Sequence, residues 1–143
     1  MPEPLVRGRG MEVTANEVRD KLSPIFEKYK GRVVFAYLFG SAAQGSVYPL
    51  SDVDIAVFLS EGTRVSYYNA KLSLHADFCR ALKRNDIDVV VLNTATNIIL
   101  LDEIIRSGAV LFDLDTDLRE EFELKILHQA MDFKEQRKAV VGI

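Results

Sequence analysis

Two runs, Arg32-Val33-Val34-Phe35-Ala36-Tyr37-Leu38-Phe39-Gly40-Ser41 and Asp52-Val53-Asp54-Ile55-Ala56-Val57-Phe58-Leu59, decide the reading of this chain. Residues 32 to 39 are β-branched, aromatic or apolar over a length that suits a buried strand, and Gly40-Ser41 closes it. The segment from Gly40 to Ser51 begins rich in Gly, Ser and Ala and contains Pro49, so it reads as a turn with at most one short helix. Asp52 to Leu59 is the second strand. Its period of two points the carboxylates of Asp52 and Asp54 to one face.

Working outward, Thr14-Ala15-Asn16-Glu17 has the form of a capping box, followed by Val18, Leu22, Ile25, Phe26 and Tyr29 at helical spacing. Pro24 lies inside this helix and lacks an amide donor, so a kink or restart is expected there, with Ser23 as a second cap. After Gly62-Thr63, the residues Val65, Tyr68, Leu72, His75, Cys79 and Leu82 recur every three or four positions and predict an amphipathic helix ending near Lys83. Asn85-Asp86 turns the chain into a third strand, Ile87 to Leu92. Residues 95 to 106 predict a helix, 109 to 112 a short strand, and a last helix runs from about Asp115 towards Val140. Its acidic start and basic end complement the helix dipole. The order implies an α/β (α+β) fold, one small mixed sheet of three to four strands covered by helices.

Bulk properties narrow the classes. A chain of 143 residues with 48% apolar side chains suits one domain, residues 14 to 143, preceded by a flexible leader, residues 1 to 13. A charged fraction of 27% and a net charge of -3 give no compositional reason for a polyanionic partner, which argues against direct nucleic-acid binding. Cys79 is the single cysteine, expected to be a small buried residue, and a reducing cytoplasm is the natural setting. No run reaches the about eighteen apolar residues of a membrane span.

Two carboxylates as close as Asp52 and Asp54 repel one another, and a cation preferring oxygen, typically Mg²⁺, relieves the repulsion while keeping positions for phosphate oxygens. Glycine at position 40 lets backbone approach a phosphate, and Ser41 adds a hydroxyl and an amide donor. A triphosphate fits between that turn and the metals. Asp88, near the start of the third strand, is placed to supply a third carboxylate to a two-metal site. Asp86 competes for that role from the same face but reads equally as a turn residue; Asp88, deeper in the strand, is favoured.

Gly40-Ser41, ten residues, then Asp52-Val53-Asp54, with Asp88-Val89-Val90-Val91 on a later strand, resembles the signature of the DNA polymerase β-like nucleotidyltransferase superfamily. The short chain and its C-terminal segment LREEFELKILHQAMDF most resemble the minimal nucleotidyltransferase (MNT) antitoxins that accompany HEPN-domain toxins. That resemblance implies a cytoplasmic enzyme transferring AMP from ATP to a tyrosine of a HEPN ribonuclease partner, and a hetero-oligomer with that toxin. It implies two Mg²⁺ ions held by Asp52, Asp54 and Asp88, the last also assisting deprotonation of the acceptor, and phosphates held by Gly40 and Ser41. Nucleotidyl transfer to a small antibiotic-type molecule, or a non-catalytic antitoxin acting by binding alone, are the alternatives.

One departure is visible: many relatives carry arginine between the Gly-Ser pair and the next glycine, where this chain has Ala42, Ala43 and Gln44 before Gly45. Either triphosphate affinity is weaker for it, or a cation such as Lys71 or Arg64 substitutes from the following helix. His75 reads as a packed side chain, His128 has no assigned role, and Tyr68 reads as core with Tyr67 merely adjacent. Tyr48 lies nearer a nucleotide but is also readable as a plain loop residue. The last helix is apolar along two rows, Phe122, Ile126, Ala130, Phe133 and Leu124, Leu127, Met131. The surplus row fits either a partner contact or a helix sandwiched within the domain.

Overall fold

The computed structural model describes residues 14–40 and 52–141, with side chains described up to residue 137. The expected leader, and Ser41, Ala42, Ala43, Gln44, Gly45 and Tyr48, lie outside the described residues. The elements are α1 (Ala15–Lys28), β1 (Val33–Phe39), β2 (Val53–Leu59), α2 (Arg64–Leu82), β3 (Ile87–Val91), α3 (Ile98–Ser107), β4 (Ala109–Asp113) and α4 (Thr116–Val141). The strands form one mixed sheet in the order β3-β2-β1-β4, with β1 antiparallel to both β2 and β4, and β2 parallel to β3. The expected fold class is therefore the observed one.

Sequence chemistry accounts for the layers. β1 lies inside the sheet and is covered on both faces, so it is an unbroken apolar run rather than an alternating one. On one face, Val18, Leu22 and Phe26 of α1 and Leu74, Phe78 and Leu82 of α2 pack on Val53, Ile55, Val57 and Leu59. On the other, Leu101 and Ile104 of α3 and Phe122 and Ile126 of α4 pack with Phe35, Tyr37, Ala56 and Phe58. Stacked rings join α1 to β4 through Phe26 and Phe112 at 5.1 Å, and β1 to β2 through Phe35 and Phe58 at 4.6 Å, each adding about 1 kcal/mol beyond area burial.

Local signals explain the helix ends. Thr14 Oγ1 accepts the Glu17 amide and Glu17 accepts the Thr14 amide, the expected capping box. Of the kink or restart expected at Pro24, the restart does not occur: α1 is continuous from Ala15 to Lys28. Pro24 is exposed, so the carbonyl it leaves unbonded sits on the solvent side, while Val18 and Leu22 before it and Phe26 after it anchor one helix to one sheet.

The stripe expected to pack α2 is also corrected. Val65 is 69% exposed, Tyr68 61% and Leu72 50%, whereas Leu74, Asp77, Phe78 and Leu82 are buried. Two helical registers carried apolar residues, and the one bearing Phe78, which meets the Phe26 ring at 5.8 Å, wins the sheet. Asp77 tolerates that face because Tyr29 Oη donates to it at 2.7 Å and Lys28 and Arg80 pair with it. Tyr67, not Tyr68, packs against the core, with the Arg32 guanidinium over its ring. His75 is half-buried and meets Cys79 Sγ at 3.6 Å; Cys79 is itself half-buried rather than fully enclosed. In α4, Ile126 and Ala130 are buried while Leu124 and Met131 are more than half exposed, so the surplus apolar row is not sandwiched within the domain.

Candidate active site

The parallel register of β2 and β3 pairs Val53 with Ile87 and Asp54 with Asp88. Alternation along β2 sends Asp54 to the same face as Ala56 and Phe58, the face covered by α3 and α4. Asp54 is half-buried and Asp88 exposed beside it, so the two carboxyl groups share one end of the sheet with water on one side. Asp52 lies one residue before β2 and is exposed.

Gly40 completes this corner. It follows Phe39, the β1 partner of Asp54, at a φ of +78° that side-chain-bearing residues rarely adopt. A Cβ at this position would lie 2.5 Å from Asp54 Oδ2. Glycine is thus required twice, by the backbone conformation and by the approach of the carboxylate.

The electrostatics of the corner are those of crowded acids. Burial first, then the charges of Asp88 and Asp52, a hydrogen bond with Asp88 and the more distant charge of Glu103 push the Asp54 carboxyl up to about 6. A divalent cation would favour the ionised form of this crowded pair, and an all-carboxylate donor set suits a hard ion such as Mg²⁺. Among the described residues no group of three His, Cys, Asp or Glu side chains converges as a metal-binding set; the pair that meets is Asp54 and Asp88, with Asp52 acting through its charge.

Asp86 has a different place. Its carboxylate accepts two hydrogen bonds from the half-buried Arg84, at 2.8 Å from Nε and 2.6 Å from Nη2, which hold it below the usual carboxylate range. Its carbonyl accepts the Val53 amide at 3.0 Å. Lys71 and Arg64 line a groove of about 460 Å³ against Val89–Val91, Thr94 and Ala95, towards the end of β3, whereas Asp88 sits at its start. A cation that does feel the charge of Asp52 is Arg84. Sequence reasoning passed over Arg84 because its role depends on a fork onto a residue two positions away. The spacing Arg-x-Asp ahead of a strand is the signal that was available.

A larger groove of about 650 Å³ lies between α4 and the β3–α3 connection, lined by Phe58, Leu92, Asn93, Phe122 and Lys125 among others. It opens on the sheet face that carries Asp54, but four strand positions further along β2. The corner itself sets paired carboxyls on adjacent strands against a glycine, and the family model "Polymerase beta, Nucleotidyltransferase" matches residues 20–117, more than half of the chain.

The chain belongs to the polymerase β nucleotidyltransferase family. No curated protein sequence matches this nucleotidyltransferase. Solved structures do. A variant of a MntA toxin–antitoxin complex is 23% identical, with a TM-score of 0.68 over 87% of this chain and 95% of that one. A tri-AMPylated Shewanella oneidensis HEPN toxin in complex with its MNT antitoxin matches at 22% identity and a TM-score of 0.65, over 89% of this chain and 95% of that one. A toxin–antitoxin structure with AMP-PNP matches at 25% identity and a TM-score of 0.67, over 87% and 95%. The nucleotidyltransferase thus has the fold of MNT antitoxins over nearly their whole length. Among the described residues no helix is long and apolar enough to cross a membrane.

Proposed function

We propose that this nucleotidyltransferase transfers AMP from ATP to a hydroxyl of a protein partner, a tyrosine of a HEPN-fold ribonuclease toxin, and so acts as its antitoxin. The observation that carries the reading is the register match of Asp54 with Asp88, closed by the glycine turn at Gly40. The choice of acceptor rests on the company of the fold, since one similar structure holds an AMPylated HEPN toxin and another holds AMP-PNP.

In this reading Asp52, Asp54 and Asp88 are the carboxylate ligands for two Mg²⁺ ions, and Gly40 and Ser41 hold the phosphates of the triphosphate. When bound, the ions lower the pKa of the acceptor hydroxyl and stabilise charge on the pyrophosphate. The acceptor oxygen bonds to the α-phosphorus, the bond from that phosphorus to the α–β bridging oxygen breaks, and pyrophosphate leaves with the electron pair. The hydroxyl proton passes to Asp88, the solvent-facing member of the pair. Asp54, whose affinity for a proton is raised by burial and by its neighbours, would hold a metal ion less readily as pH falls towards and below about 6. The exposed apolar row of α4, Leu124 and Met131, offers surface to the partner.

Incubation with Mg²⁺ and ATP labelled at either the α- or the γ-phosphate, in the presence of a HEPN-fold protein from the same organism, tests this. Label from the α position on that protein, lost in Asp54→Ala and Asp88→Ala, is the expected result. Label only in a low-mass hydroxylated acceptor, or toxin neutralisation unchanged in both variants, would refute it.

A further inference from the structure

The residues that lead into β3 form a contact the chemistry above leaves unused. α2 ends on Lys83 in the left-handed conformation, and the Arg84 amide bonds back to the Cys79 carbonyl at 3.2 Å. The chain therefore leaves the helix with Arg84 directed at its own next turn. The guanidinium then forks onto both oxygens of Asp86, an arrangement that fixes orientation as well as distance. Both side chains are largely shielded, at 13% and 30% exposed, so solvent screens the pair only in part.

Asp86 is bound at two ends. Its side chain is held by Arg84, and its carbonyl receives the amide of Val53, the residue between Asp52 and Asp54. This bond belongs to the first rung of the β2–β3 ladder, the Val53–Ile87 pair, immediately ahead of the Asp54–Asp88 pair. A slip of one residue at that rung would send Asp88 to the opposite face of the sheet, among the side chains of α1 and α2. Apolar packing resists such a slip further along the strand, where Val89 and Val91 are buried, but Asp88 itself is exposed and has no packing of its own to hold it.

We propose that the Arg84–Asp86 pair is a positioning element for the candidate active site, a clamp that locks the first rung of β2 and β3 so that Asp88 stands beside Asp54. The inference rests on the reading of those carboxylates as a metal site, and it assigns to Asp86 a role other than ligation. Arg84 also sits in the field of Asp52, so the clamp places a fixed positive charge behind a cluster of acids.

The test uses the full chain and Mn²⁺ as the probe, with affinity measured by calorimetry and Val53 amide exchange by NMR. The variants are Asp86→Asn, Arg84→Met and the conservative Arg84→Lys, each checked for native circular dichroism. Asp86→Asn and Arg84→Met are expected to weaken Mn²⁺ binding about tenfold or more, the usual consequence of removing a group that orients a ligand. Val53 exchange is expected to accelerate about tenfold, the loss of support for one hydrogen bond, with Leu38 exchange in β1 unchanged. Arg84→Lys, which keeps charge but not the fork, should fall between. Wild-type affinity in both disruptive variants, or weakened binding with Val53 protection intact, overturns the clamp. If the wild-type protein binds no Mn²⁺, the metal reading fails instead, and Val53 exchange alone decides: faster exchange in the variants upholds the clamp, unchanged exchange overturns it.

Discussion

Replacing Gly40 with alanine adds one methyl group at the point where the β1 turn meets Asp54, and the structure separates what that costs the fold from what it costs the site. The backbone at +78° disfavours any Cβ by about 1 kcal/mol. The new Cβ would stand 2.5 Å from Asp54 Oδ2, where ordinary contact begins at 3.4 Å, so the carboxylate must retreat by 0.9 Å, the difference between the two. Because the obstructing atom is the end of a half-buried side chain, that retreat is inexpensive for stability. The expected fall in melting temperature is therefore small, about 3 °C for a chain of this size. Catalysis is different, since a displacement of about 1 Å at a reacting centre costs about a hundredfold in rate. The assay is AMP transfer under single-turnover conditions, paired with thermal denaturation of the same preparation. Wild-type transfer by Gly40→Ala would refute the reasoning. So would a loss of transfer that merely tracks a large loss of folded protein, because the cost would then lie in the fold.

Three further outcomes are expected. With Asp54 raised from 3.8 to about 6, the folded metal-free protein binds a proton more tightly than the unfolded chain; the group's stabilisation is full below pH 3.8 and is lost as pH rises through about 6. Melting temperatures followed across that window should show the fall, and Asp54→Asn or saturating Mg²⁺ should flatten it. Tyr37→Phe removes a hydroxyl that donates to Glu123 Oε2 at 2.5 Å from a fully buried ring, leaving Glu123 with Arg119 alone; urea denaturation should register a loss of about 1–2 kcal/mol. Lys83→Gly relieves the left-handed C-cap of α2 at φ 57° and should raise stability by about 0.5 kcal/mol in the same experiment, with a loss arguing that the Lys83 side chain has a structural role.

What was legible in the residues was the part governed by local rules. Period-two geometry and the apolar length of 33–39 and 53–59 located two strands, and Thr14 and Glu17 announced the start of α1. The spacing of Gly40, Asp54 and Asp88 pointed to residues that the fold brings to one corner, but the pairing of Asp54 with Asp88 is a property of register, which no single strand encodes. Three features escaped for the same reason. Pro24 forbids one hydrogen bond, yet contacts with a sheet formed far along the chain keep its helix continuous. Two stripes of α2 were apolar, and only the position of Phe26 selects the one with Phe78. Asp86 was already second to Asp88 as a candidate ligand, but the fork of Arg84 onto its carboxylate went unforeseen.

The central claim is that the carboxyl pair on β2 and β3 carries AMP transfer to a protein hydroxyl. Its most direct test is the intact mass of a HEPN-fold partner after incubation with ATP and Mg²⁺, using the wild-type chain and Asp88→Asn, a change that keeps shape and removes charge. The account predicts a gain of one or more whole adenylyl groups with the wild-type chain and none with Asp88→Asn. An unmodified partner with wild-type enzyme, or equal modification by both proteins, would contradict it.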